Sequence, residues 1–491
     1  MLAGLLLCGT FYQACFGEEQ AQAAGHPNVI VVMADDLGIG DVSPTNPDCK
    51  IKTPHLQKMA EEGLTFLDAH TTSSVCTPTR YGLLTGRYNW RSRLARGVLN
   101  GRSSHLIPAD RPTLGHLMRK GGYHTAMIGK WHLGWDWHKT GKQIDFTKPV
   151  KNGPDINGFN QYYGHCGSLD MPPYVWVDTG RITAQPDRQE GVSKGQDRYG
   201  WYRKGPIGSD FKIPEVLPHL FDKSIEYVKA RADAAKAGKP FFLYLPLPAP
   251  HTPIVPIPPF KGSSGLNPYA DFVMQMDHHM GQLLASLKEF GLDKNTLVIF
   301  TCDNGTYVGI TSKLRDGTII KGGKGSMPDA GNRVPFIANW PGTIKPSQVK
   351  QDVIDFSDLL PTLCEAAGAK IPSDLKIDGR SFYPLLGGNK YTPREYIYMW
   401  YGRNGGPKGQ AFTRDQRYKL YRTGKFYDVS KDPLEKNPLL EQALKGSALT
   451  AHEKLAKALA LYKDARTITS TKLPGEKKGK PKKKPKKQAR P

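Results

Sequence analysis

The chain has 491 residues, of which 38% are hydrophobic and 10% aromatic, so it can bury a large core and a globally disordered polymer is excluded. Its formal net charge is +23, of which Lys472 to Pro491 carry +9 (nine Lys, one Arg and one Glu), leaving +14 on the rest. A body that stays basic without its tail favours polyanionic partners: nucleic acid, an anionic membrane surface or a sulfated polymer.

Residues 1–24 read as a secretory signal peptide. Leu2 to Phe11 is an apolar run too short to span a bilayer, and Ala21-Gln22-Ala23 fits a small-x-small cleavage site, although no Lys or Arg precedes the run. A secreted or periplasmic product is expected, away from nucleic acid. No later run is long and apolar enough for a membrane helix. Cys8 and Cys15 would leave with the signal. Cys49, Cys76, Cys166, Cys302 and Cys364 would stay, an odd number without a Cys-x-x-Cys pair. One of them needs a separate role, and Cys76 is the candidate. Disulfides among the other four are left open.

Next come short apolar runs that stop at polar residues. Val29 to Met33 ends at Ala34-Asp35-Asp36, and Tyr123 to Ile128 ends at Gly129-Lys130-Trp131-His132. Phe241 to Leu247 ends at Pro248-Ala249-Pro250-His251, and Leu297 to Thr301 ends at Cys302-Asp303-Asn304. Such runs predict strands buried on both faces. Helices are predicted between them. One starts with Thr53 as its N-cap and Pro54 in its first turn, with Leu56, Met59 and Ala60 on one face. Another carries Phe272, Met276, Met280, Leu283, Leu284 and Leu287, and a third spans Ser357 to Ala367.

The alternation implies an α/β fold: a large mixed, mostly parallel sheet sandwiched by helices. In such sheets ligands bind beyond the carboxyl ends of the strands, where Asp35, Asp36, Lys130, His132, His251, Asp303 and Asn304 all fall. The stretch from Val150 to Gly208, rich in Gly, Pro and polar residues, reads as insertions over that face. His165 and Asp170 are candidates there for reading sugar hydroxyls.

We therefore divide the chain into a signal peptide (1–24), a catalytic domain (25–376), a small α+β subdomain with an antiparallel sheet (377–470) and a disordered Lys/Pro-rich tail (471–491). In the subdomain, strands are predicted at Tyr396 to Trp400, Gln410 to Phe412, Tyr418 to Tyr421 and Lys425 to Tyr427, then a helix from Ala451 to Tyr462.

Three constellations carry chemistry. Cys76-Thr77-Pro78-Thr79-Arg80 continues into Tyr81-Gly82-Leu83-Leu84-Thr85-Gly86-Arg87, which reads as a helix with Cys76 at its N-terminus. Free N–H groups and the dipole favour anionic chemistry there, and Arg80 lies four residues on, on the same face. Asp35-Asp36 with Asp303-Asn304 make an all-oxygen set that suits Ca2+ or Mg2+ better than zinc. Either pair alone would serve as caps and turns; two pairs at two strand ends argue for a cation. Lys130, His132, His251 and Lys324 (within Gly323-Lys324-Gly325-Ser326) supply fixed cations and imidazoles, which stabilise anionic oxygens and move protons.

These residues resemble the signature of the formylglycine-dependent type I sulfatases, arylsulfatase-like members of the alkaline phosphatase-like superfamily. The resemblance rests on Cys76 to Arg80 with Leu84 to Arg87, and extends from about Pro27 to Tyr427. It implies that a formylglycine-generating enzyme oxidises Cys76 to formylglycine, which hydrates to a gem-diol. It further implies one calcium ion held by Asp35, Asp36, Asp303 and Asn304, with the group at 76 as a further ligand. Lys130 and Lys324 would bind sulfate and gem-diol oxygens, and a histidine would protonate the leaving alcohol. One hydroxyl, deprotonated with help from Asp303, would attack sulfur; His251 would protonate the leaving group and His132 take the last proton.

The chain departs from the family at Asp329-Ala330-Gly331-Asn332-Arg333-Val334-Pro335, where Ala330 stands for a usual glycine. The expected reaction is hydrolysis of sulfate esters, of a sulfated carbohydrate or aryl sulfate. A phosphomonoester or phosphonate hydrolase of the same superfamily is the nearer alternative. A non-catalytic binder of polyanions, drawn by the basic tail and body, is the more distant one.

Overall fold

A computed structural model describes residues 25–313, 317–403 and 409–465. The expected signal peptide and the Lys/Pro tail lie outside the described residues.

The four apolar runs lie at the middle of one sheet. Its strands are β1 (Asn28–Ala34), β2 (Leu64–His70), β3 (His124–Lys130), β4 (Gln161–His165), β5 (Val177–Asp178), β6 (Arg181–Ile182), β7 (Phe241–Pro246), β8 (Thr296–Cys302), β9 (Phe336–Asn339) and β10 (Gln348–Asp355). Their order is β10-β2-β9-β8-β1-β7-β3-β4-β5-β6. The central run from β8 to β4 is parallel, β9 lies antiparallel between β8 and β2, and five of the nine pairings are parallel. β1 and β7 are buried at every residue, which is why they read as unbroken apolar runs: helices cover both faces. On one face α1 (Pro54–Glu61), α4 (Val216–Lys236) and α5 (Pro268–Glu289) pack together. On the other, α2 (Cys76–Thr85), α3 (Leu114–Lys120) and α6 (Leu359–Ala366) do so.

Two expectations need correction. Thr53 precedes α1 but does not cap it, because its hydroxyl is taken by Ser43. The free N–H groups of His55 and Leu56 donate instead to the Asp277 carboxylate of α5, at 3.1 and 2.8 Å. The stretch from Val150 to Gly208 is also not wholly insertion. It contributes β4, β5 and β6 to the main sheet, and β4 pairs parallel with β3 so that His165 lies opposite Lys130.

The second sheet is antiparallel, in the order β11 (Ile397–Tyr401), β12 (Gln410–Arg414), β13 (Tyr418–Tyr421), β14 (Phe426–Asp428), and packs against α7 (Gly446–Ala460). Cys49, Cys76, Cys166, Cys302 and Cys364 are all free thiols. Among the described residues no helix is long and apolar enough to cross a membrane.

Candidate active site

The site lies beyond the carboxyl ends of the central parallel strands. β1 and β8 are neighbours in register at Ala34 and Cys302, so Asp35-Asp36 and Asp303-Asn304 leave the sheet side by side. All four are completely buried. Asp36 turns with φ 71°, a left-handed conformation costing a non-glycine residue about 1 kcal/mol or more, so the surrounding structure must hold it there. Gly129 is needed before Lys130: its φ is +134°, and a Cβ would stand 2.1 Å from the Pro246 carbonyl oxygen of β7. The close approach delivers Lys130 Nζ onto Asp35 Oδ2. From β7 the chain turns back so that the Ala249 carbonyl accepts from Asp35 N at 2.9 Å, and His251 follows.

Cys76 opens α2. The residue before it, Val75, offers no capping side chain, so the N–H groups of Cys76 and Thr77 are left uncapped toward an anion; Pro78 has none. Cys76 Sγ lies 3.4 Å from Asp35 Oδ1. One turn on, Arg80 Nε and Nη2 donate to Asp303 Oδ2 at 2.9 and 2.7 Å, and Nη1 donates to the Lys130 carbonyl at 2.7 Å. Arg80 thus braces the strand ends that carry Asp303 and Lys130. Lys324 Nζ comes from the far side onto Asp36, 2.7 Å from Oδ1 and 2.9 Å from Oδ2. His251 Nε2 is 3.9 Å from Asp36 Oδ2.

His132, with φ 54°, has its Nε2 2.9 Å from the Leu99 carbonyl. A carbonyl accepts, so Nε2 carries the proton and Nδ1 has the lone pair; Nδ1 is buried with no partner. The structure therefore brings all ten marked residues to one face. Arg80, Lys130 and the three aspartates are sealed, while the side chains of His251 and Lys324 keep 9% and 18% exposure and mark the opening.

Three carboxylates meet three cations here: Asp35, Asp36 and Asp303 against Arg80, Lys130 and Lys324. Burial opposes the charge on Asp35, but Lys130, His251, Arg80 and Lys324 together hold its carboxyl well below the usual range. Burial and the neighbouring Asp35 instead push Asp303 up to about 7, against the pull of Arg80. Burial, then Asp303 and Asp35, drive the Cys76 thiol far above its ordinary value. Burial, with Lys130 and Arg80, pushes His132 well down. Desolvation opposes the charge on the half-buried Lys324, yet Asp36 holds it above its usual range.

A hard cation fits these donors. Asn304 donates through Nδ2 to Asp36 Oδ1 at 2.7 Å, which leaves its Oδ1 buried without a hydrogen-bond donor. Such an orphaned oxygen beside three carboxylates would suit a hard cation such as Ca2+ or Mg2+. A second grouping overlaps it: Asp35, Asp36, Cys76 and His251 each offer an atom within 4.8 Å of the others. Asp35 and Asp36 are common to both. The orphaned amide oxygen and the surplus of oxygen donors favour the hard cation. Adding a dication to a charge-balanced cluster would make the site electropositive and receptive to an anion.

A family model described as Sulfatase matches residues 27–369. The chain belongs to the sulfatase family. A second model, N-sulphoglucosamine sulphohydrolase C-terminal, matches residues 323–461 of this sulfatase. It is 29% identical over 481 residues to N-acetylgalactosamine-6-O-sulfatase of Bacteroides thetaiotaomicron, covering 87% of this chain and 92% of that one. It is 32% identical over 443 residues to arylsulfatase A of Bos taurus, covering 88% and 80%. A structure solved for the metabolism of multiple glycosaminoglycans by Bacteroides thetaiotaomicron superposes with a TM-score of 0.75 at 27% identity, covering 90% of this chain and all of that one. The protein is a sulfuric ester hydrolase with the type I sulfatase fold of the alkaline phosphatase-like superfamily.

Some of the sulfatase's site was not legible in its motifs. Thr77, passed over inside the Cys76 motif, donates to the His132 carbonyl at 2.9 Å and accepts from Leu99 N at 3.2 Å, fixing the turn that aims His132. Asp41 accepts from Tyr269, Thr306, Ser312 and the Gly38 amide, and so anchors the loop behind Asp36. Ala330 sits in a helical turn, Asp329–Asn332, where an alanine meets no backbone restriction. His165 is turned against Trp176 and Phe211, and burial holds its imidazole down to about 3. Asp170 is paired to Arg203. Neither is drawn into the cluster of ten.

Proposed function

We propose that this sulfatase hydrolyses sulfate esters of an anionic carbohydrate, with a formylglycine made from Cys76 as nucleophile and a calcium ion on Asp35, Asp36, Asp303 and Asn304. The observation that carries the reading is the placement of Cys76 at a helix N-terminus, 3.4 Å from a carboxylate of the oxygen-rich cluster. The carbohydrate is supported by the glycosaminoglycan sulfatase relatives and by the basic body of the chain. The same reading includes export directed by residues 1–24 and maturation by a formylglycine-generating enzyme; N-terminal sequencing of the exported product checks the first.

The calcium ion would supply positive charge to a sulfate oxygen and to the hydroxyl at 76. The rest is work for the chain. Lys130, Lys324 and the first-turn amides of α2 hold the non-bridging oxygens. Asp303, with both Arg80 contacts on Oδ2, accepts a proton through Oδ1. One hydroxyl of the hydrated aldehyde then attacks sulfur and the S–O bond to the alcohol breaks. His251, at the opening, gives that alcohol its proton. Next His132 Nδ1 takes the proton of the second hydroxyl, sulfate departs and the aldehyde re-forms. A serine at 76 would end in a stable sulfate ester instead.

The experiment is mass spectrometry of the peptide across residue 76 after co-expression with a formylglycine-generating enzyme, paired with rates on matched aryl sulfate and aryl phosphate. An aldehyde at 76 and preference for sulfate are expected. Cys76→Ser should lower multiple-turnover hydrolysis about a thousandfold or more while leaving the unfolding temperature unchanged. Full turnover by that variant overturns the mechanism.

A further inference from the structure

A large cavity lies not over Cys76 but beyond the other end of its helix. It has a volume of about 770 Å3, a size that takes a sugar residue, and four arginines line it: Arg87, Arg91, Arg93 and Arg111, with His105 beside them. Arg91 is neutralised by a bidentate pair with Asp378, at 2.8 and 2.7 Å. Among the described residues the other three have no carboxylate partner. Arg111 Nη2 reaches only the carbonyls of Thr85 and Lys376, at 2.8 and 2.9 Å, and Arg93 Nη2 only those of Ser104 and His105. The Nε atoms of Arg87, Arg93 and Arg111 are each buried with no acceptor among the described residues. Asp110 and Asp374 also line the cavity, but both are exposed, and neither pairs with an arginine among the described residues.

Like-charged guanidiniums gathered around a cavity without matching anions are costly unless an anion completes them. Burial, and after it the nearby Arg87, lower Arg111 to about 10. The wall itself is rigid: Tyr81 belongs to α2, and the Thr85 carbonyl held by Arg111 closes the same helix. Cys76 and Thr85 are the first and last residues of this helix, nine steps apart, a rise of roughly 14 Å.

We propose that this cavity is an anion-binding exosite that holds a second sulfate or carboxylate of the saccharide chain while another sulfate reacts at Cys76. The inference rests on the anionic-carbohydrate reading above. Arginine is the suitable residue, because its planar fork matches sulfate and carboxylate oxygens bidentately.

The test uses the full chain carrying Cys76→Ser, so that nothing turns over. A sulfated glycosaminoglycan hexasaccharide and inorganic sulfate are titrated separately by calorimetry at two salt concentrations. Arg93→Met with Arg111→Met should weaken the hexasaccharide about tenfold or more and flatten its salt dependence. In the Cys76 enzyme the same pair should leave aryl sulfate turnover unchanged, whereas loss of all aryl sulfate turnover in the parent enzyme would count against the sulfatase site itself. Should the double variant fold poorly, Pro108→Glu sets a carboxylate in the exposed lining without removing an arginine, and the same loss is expected. Unchanged hexasaccharide affinity in both variants overturns the exosite. So does a cavity that takes inorganic sulfate while the hexasaccharide is indifferent to the substitutions.

Discussion

A histidine held at φ 54° has little freedom in where its ring points, and His132 spends one nitrogen on the Leu99 carbonyl. What remains is a single buried lone pair, suited to accept a proton and unsuited to carry one. The amide of Asn304 is a parallel case: Nδ2 is used on Asp36, and Oδ1 is left over. That division predicts how the proposed cation should behave. Chelation should abolish aryl sulfate turnover, and Ca2+ should restore it better than Zn2+, because the free donors are oxygens. Asn304→Ala should shift the calcium concentration for half-maximal recovery about 10- to 100-fold upward with little change in the recovered rate. A recovery curve identical to that of the parent would remove Asn304 from the site. Residue types and spacing marked these side chains before any geometry was known. They could not reveal the anchoring of His132, because Thr77 and Leu99 act through an ordinary hydroxyl and a backbone carbonyl, which no motif records.

Among elements, the strands that were legible are those buried on both faces, since only there does the sequence become a continuous apolar run. β2 (LTFLDAH) is as fully buried, yet it contains Asp68 and His70, and a local window counts these against a core strand. They are tolerated because they bond each other and because Arg414 donates to Asp68 at 2.9 Å and Asn332 bonds His70, two partners that lie far along the chain. β4 was hidden differently, by a Gly-containing five-residue segment inside a Pro-rich stretch. α1 shows the same dependence on distant sequence, being capped by Asp277 of α5. Burial pushes that carboxyl up to about 6, although the two amides it accepts from pull the other way. A raised carboxyl pKa means the native state binds the proton more tightly than the unfolded chain does. Its stability is therefore fully present below about pH 4 and is lost as pH rises through 6, by about 3 kcal/mol or less. Asp277→Asn should flatten that part of the stability-versus-pH curve, measured as the difference from the parent in chemical denaturation between pH 4 and 7. An unchanged slope would show that the carboxyl titrates normally.

Across the whole molecule, the smaller sheet does more than cover the end of the larger one. Lys419 of β13 is completely buried; it donates to the Met327 carbonyl at 2.8 Å and Glu435 Oε1 at 2.7 Å, and lies 3.6 Å from Asp329 Oδ1. Arg414 of β12 reaches Asp329 Oδ2 at 3.2 Å. Met327 and Asp329 belong to the loop that presents Lys324, whose other side is held by Gly325 N on the Ser74 carbonyl at 2.8 Å, two residues before Cys76. The loop is thus clamped between the catalytic sheet and the subdomain, and the clamp sets how Lys324 stands over Asp36. Removing one partner of such a buried ion network costs about 3–5 kcal/mol, so Lys419→Met should lower the unfolding temperature. Stability alone would also fall in Glu435→Gln, which breaks the pair with Lys419 but leaves its contacts to Met327 and Asp329. The two variants therefore separate positioning from packing. At a temperature where both remain folded, Lys419→Met should raise KM for an aryl sulfate and weaken inhibition by inorganic sulfate, each about tenfold, because a displaced Lys324 meets the anion poorly. Glu435→Gln should keep both constants near those of the parent. If the two variants lose sulfate affinity equally, or neither does, the subdomain supports the loop's stability without setting the position of Lys324.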